Sequence, residues 1–134
     1  MTDRTFRRAT PQHETPRELA IRLLRAHRDE MAAAVYKLAA KLHPAWGAVE
    51  PRAFTHNAVT MIGSVADFLA TGDGDVLLKL ARDMMKVRKL AGFSAVDFNV
   101  LMHVYTPVFR KAMLARAPTV RQGLRAYDSV EAVL

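Results

Sequence analysis

The chain has 134 residues, 51% of them apolar, with a net charge of +7 and no cysteine. That length gives one domain large enough to bury a core, and the lack of thiols excludes a disulfide framework and a thiolate metal site. No apolar run nears the roughly 20 residues that span a bilayer. The arginines of the first residues have no apolar stretch behind them, so no secretory signal is read there and cytoplasmic residence is expected. Residues 1–14 read as a disordered basic leader, and 15–134 as one helical sensory or interaction domain.

The elements follow in chain order, and all are helical. A first helix starts near Thr15 or Pro16, with Glu18 completing a capping box, and runs to about His43. Its stripe is Ala20, Leu24, Met31, Val35, Leu38 and Leu42. The connector PAWGAVEP holds the only tryptophan, Trp46. A second helix opens at Pro51, turns Phe54, Ala58, Met61 and Val65 to one side, and stops at Thr71-Gly72. Asp73-Gly74-Asp75 then caps a third, with Leu77, Leu80, Met84, Val87 and Ala91 in helical register and Gly92 closing it. Ser94, with Asp97 three residues on, caps a fourth helix that is apolar around most of its circumference and contains Pro107.

The fifth helix is expected to begin at Pro118, with proline in its first turn. Val120, Leu124, Tyr127 and Leu134 recur at helical spacing, and no stop signal follows them. Residues 118–134 are therefore expected to be the start of a linker helix that continues into an output domain of a longer protein. Leu124, Tyr127 and Leu134 are spaced close to a coiled-coil seam, which predicts a homodimer through this helix. The sequence-level fold is an all-α, compact five-helix bundle, a class that includes haem-free globin-like domains.

Few residues carry a chemical signal. His27 interrupts the first stripe and reads best as a histidine at the core margin, and His56 as an exposed one. Asn99, His103, Thr106 and Arg110 follow steps of four, three and four, giving a narrow polar stripe on the apolar fourth helix. It is either that helix's solvent strip or a line facing a pocket or a second subunit. There is no HExxH, no Glu-x-x-His pair, no nucleophile elbow and no phosphate loop. His103 lies on the polar stripe rather than an apolar face, which argues against haem. No catalytic, cofactor or metal residue is predicted, and no enzyme. The positive charge falls into three patches, at residues 1–28, 79–89 and 110–125, without the interleaved aromatics of a base-stacking surface. A nucleic-acid or acidic-lipid surface is therefore the alternative reading.

The stretch from Asp67 to Met113 orders a helix ending in Thr71-Gly72-Asp73, a basic helix carrying Arg88, and Gly92-Phe93-Ser94 opening an apolar helix. This resembles the all-helical N-terminal domains of stressosome-type co-antagonists (the RsbR and RsbRD group) and related bacterial sensor kinases. The resemblance implies a haem-free bundle or globin-like fold in a bacterial protein. It also implies dimerisation, and a signal passed through a C-terminal linker helix to a STAS or kinase output domain. It covers about a third of the chain, and it supplies no site residue.

Overall fold

The computed structural model describes residues 14–133. The leader expected at 1–14 falls outside it except for Glu14, and so does Leu134. The described residues form seven helices and no strand: α1 (Pro16–Ala26), α2 (Arg28–Leu42), α3 (Pro44–Gly47), α4 (Pro51–Thr71), α5 (Asp75–Leu90), α6 (Ala95–Arg116) and α7 (Val120–Glu131).

The all-α expectation holds, but the count of five does not. The expected first helix is bent at His27, whose backbone (φ −117°, ψ 19°) serves as the C-cap of α1 and the N-cap of α2. The hydrogen-bond ladder survives the bend: His27 N–H donates to the Leu23 carbonyl at 3.0 Å, and Met31 N–H donates to the His27 carbonyl at 2.9 Å. With neither Pro nor Gly at the bend, its sequence looks like continuous helix. The second extra helix is the connector itself. Pro44 starts it, and His43 Nδ1 accepts from Ala45 N–H at 3.3 Å.

Most sequence-read ends are built as expected. Thr15 with Glu18 and Ser94 with Asp97 form reciprocal capping boxes. Gly72 ends α4 in the left-handed region (φ 75°), where a side chain would be strained. The expected Asp73-Gly74-Asp75 cap is built in part: Gly74 is the N-cap of α5 and offers no side chain, while Asp73 Oδ1 accepts from Asp75 N–H at 3.0 Å in the turn before it. Pro118, however, precedes α7 rather than starting it. Thr119 is the N-cap, its hydroxyl accepting from Gln122 N–H at 3.1 Å.

The middle of the bundle is α4, which packs on α1, α2, α5 and α7. It buries five large apolar side chains: Phe54, Met61, Ile62, Val65 and Leu69. The C-terminal half of α6 adds Val104, Tyr105, Val108, Phe109 and Met113, while at its start Val96 stands exposed. Helices α6 and α7 pack back to back across Gly123. A β-carbon there would lie 2.8 Å from the Met113 carbonyl oxygen and 3.1 Å from the Leu114 Cα, both backbone atoms. Exposed ion pairs join neighbouring helices: Arg25 of α1 to Asp67 of α4 at 3.0 Å, and Arg116 of α6 to Glu30 of α2 at 2.6 Å. Pairs so exposed add at most about 1 kcal/mol each, so apolar burial holds the bundle.

Gly123 decides between propensity and packing. In an exposed helix Gly→Ala gains about 1 kcal/mol. At this position the backbone of α6 cannot yield, and overpacking costs about 1–3 kcal/mol. Gly123→Ala should therefore lower the thermal midpoint. A raised midpoint would mean that α6 and α7 do not approach this closely.

Candidate functional site: an aromatic cavity beneath α5

Trp46 is almost fully buried, and its indole N–H donates to the Asp97 carbonyl at 3.0 Å. Around it stand Phe93, stacked at 4.4 Å between ring centroids, and Phe54 and Phe98, edge-on at 5.9 and 5.8 Å. The same Asp97 accepts from Ser94 N–H at 2.7 Å, and His43 Nε2 lies 2.7 Å from its Oδ1. Because His43 Nδ1 accepts from Ala45 N–H, the imidazole proton belongs on Nε2, facing the carboxylate. The end of α2, the α3 turn and the start of α6 are thus tied at one point. The Ser94 backbone N–H, chiefly, holds the Asp97 carboxyl below the usual carboxylate range, with Ser94 Oγ and His43 acting in the same sense against partial burial.

Beneath this knot is an apolar cavity of about 90 Å³. Trp46, Phe54, Met61 and Tyr105 line it from the bundle, and Met84 and Arg88 from α5. Burial pushes the Tyr105 hydroxyl's pKa far up, so it stays neutral. The Arg88 guanidinium lies 6.0 Å from the centre of the Phe93 ring, within cation–π range, and has no carboxylate partner among the described residues.

The helix closing this cavity is held differently from the rest. None of the side chains of α5 is fully buried. Leu77, Leu80, Ala81 and Met84 face the core and stay half-buried, while Val76, Leu78, Met85, Val87 and Leu90 are exposed, Leu90 at 88%. The sequence stripe had placed Val87 with the inward residues, and it points outward. Full burial of one such side chain is worth about 1.5–3 kcal/mol, so five fully buried on α4, against half-burial of Leu77, Leu80 and Met84 on α5, hold α4 more firmly by several kcal/mol.

The sequence-predicted residues are dispersed. Asn99, His103 and Arg110 are exposed and Thr106 is half-buried, so the stripe runs along an outer face of α6. Its lower end meets α7: burial, then Glu131, raises the Tyr127 pKa, while Arg110 and Thr106 oppose the rise. Tyr127 itself is buried in the core of the bundle, and Leu124 lies on the outer side, 38% exposed. His27 is half-buried, 3.5 Å from Glu30, and His56 is exposed. Sequence reasoning missed the cavity, although the lone Trp46 in a turn was an available signal for it. Among the described residues no group of three or more His, Asp or Glu is placed to hold a metal. The chain matches no protein-family model, no curated protein and no solved structure.

Asp97 gives the site a pH dependence. Its folded pKa is depressed, so its contribution is present in full above the unfolded value and is lost as pH falls through the folded one. Glu18 and Glu30, held down by Thr15 and Arg116 respectively, act in the same direction. Urea stability should fall between about pH 5 and about pH 3, and Asp97→Asn should flatten part of that slope. Equal slopes for the two proteins would remove Asp97 from the account.

Proposed function

We propose that this is a non-enzymatic regulatory domain in which a small apolar ligand or a partner acts at the α5 cavity and biases the packing of α6 against α7. The observation that carries the reading is that α5 covers an aromatic cavity without burying one side chain of its own. Phe98, Leu101 and Tyr105 of α6 line the same cavity, and α6 packs on α7 through Gly123, so displacement at α5 has a contiguous route to the C-terminal helix. Packed helix pairs hold discrete arrangements, which lets a small shift act as a switch.

The wider reading follows the stressosome-type resemblance. It is a bacterial cytoplasmic sensor of haem-free, globin-like type, homodimeric through the outer face of α7, where Val120 and Leu124 are exposed. It delivers its signal to a linked or separate output domain. The rival is an acidic-lipid or nucleic-acid surface. What favours it is the outer face of α5, where Val76, Leu78 and Leu90 are exposed on the same helix as Lys79, Lys86 and Lys89. Binding of that kind falls steeply with added salt, whereas filling an apolar cavity does not.

Trp46 is the chain's only tryptophan and therefore an internal reporter. An engineered cavity of 150 Å³ holds benzene, so this one takes a ligand of a few heavy atoms, and more if α5 moves outward. Titration with linear alcohols from butanol to decanol should change Trp46 emission saturably. Ala81→Phe, which fills the cavity from the half-buried face of α5, should abolish the change. A response that never saturates, or one that Ala81→Phe leaves intact, would contradict the reading.

A further inference from the structure

A second concavity shares no lining residue with the α5 cavity. It is a groove of about 490 Å³ between α2 and α6, floored by Met31, Ala34 and Leu38 on one side and Val108, Ala112 and Ala115 on the other. The three alanines keep the floor low, where longer side chains would fill it. Lys37 and Lys41 stand one turn apart on the α2 rim, and Lys111 stands on the α6 rim. All three are exposed, and none makes an ion pair among the described residues. The Arg116–Glu30 pair also borders the groove.

From this geometry we infer that the groove docks an amphipathic helix of a partner protein, with an apolar ridge flanked by Asp or Glu. An apolar floor between two helices accepts the ridge of a third. The lysines on both rims then require carboxylates on both flanks of the incoming helix. A bilayer surface is flat and leaves a concave floor unfilled, and nucleic-acid phosphates gain nothing from Ala and Leu. A second copy of this chain does not meet the charge requirement. None of its seven described helices is net acidic: α1, α2, α5 and α6 are net basic, and on α7 Arg121 and Arg125 offset Asp128 and Glu131.

The test uses the full chain and a fluorescein-labelled helical peptide of about 18 residues, about five turns. Its apolar residues recur at i, i+3, i+4 and i+7, with Glu on the flanks; a control peptide keeps the ridge and carries Lys instead. Anisotropy should rise saturably for the Glu-flanked peptide, and the Lys-flanked peptide should bind at least about tenfold more weakly. Lys37→Glu combined with Lys111→Glu should weaken the Glu-flanked peptide by about tenfold or more. So should Ala115→Trp, an exposed position where the new ring fills the groove without entering the core, while Ala33→Trp on another face should change nothing. Circular dichroism should be unaltered in all of them. The inference is overturned if the two peptides bind alike or if Ala115→Trp has no effect. It is equally overturned if the wild type leaves the Glu-flanked peptide unbound, whether or not the same lysines co-sediment with phosphatidylserine vesicles or shift duplex DNA.

Discussion

A buried indole must find a partner for its N–H, and Trp46 finds one in the carbonyl of Asp97, 51 residues away. Much of the architecture around the candidate site follows from that bond. The connector has to fold as the short helix α3 to carry Trp46 inward, which is why His43 ends α2 and caps α3 at once. The start of α6 has to be fixed to present the carbonyl, and the Ser94–Asp97 capping box fixes it. The aromatic rings of Phe54, Phe93 and Phe98 then gather around the indole from three segments of the chain. A ring cluster of this kind is rigid and bulky, and side chains of different shape do not fill every gap beneath it. The cavity under α5 is the space they leave.

The proposed response rests on the contrast between α4 and α5. Helix α4 cannot move without exposing Phe54, Ile62 and Val65, each nearly fully buried. An outward shift of α5 would expose only half-buried side chains of its own, together with the cavity-facing surfaces of Trp46, Phe54, Met61 and Tyr105. Gly72 and Gly92 both hold positive φ and flank α5 as the points where the chain turns. Nothing comparable loosens α6 and α7, which touch backbone to backbone at Gly123. A shallowly packed cover, a deeply packed core and a closely packed terminal pair are the parts the proposed relay would use.

Local chemistry made much of this fold readable from the sequence. Thr15 with Glu18, Ser94 with Asp97, and Gly72 each act over three or four residues, and each ends or starts a helix where the sequence puts it. The bend at His27 was not readable, because the ladder continues through it and no Pro or Gly marks it. The depth of α5 was not readable either. Leu77, Leu80 and Met84 show the same periodicity as Phe54, Met61 and Val65, and periodicity reports which face turns inward, not how far it sinks. Depth is set by what the other helices leave uncovered, which is long-range information. The candidate site is a void among residues far apart in the chain, so its position depended on packing. Tyr127 illustrates the same limit: a heptad-like spacing with Leu124 put both on one seam, whereas the helix turns one into the core and the other to the outer face.

The central claim is that α5 opens separately from the bundle it covers. Native-state hydrogen exchange, read amide by amide, tests it most directly. The account predicts that residues 79–90 exchange through a local opening, well before the amides of α4 and of residues 104–113 in α6, which exchange only with global unfolding. If α5 proves as protected as α4, the cover is part of the core and the account is wrong.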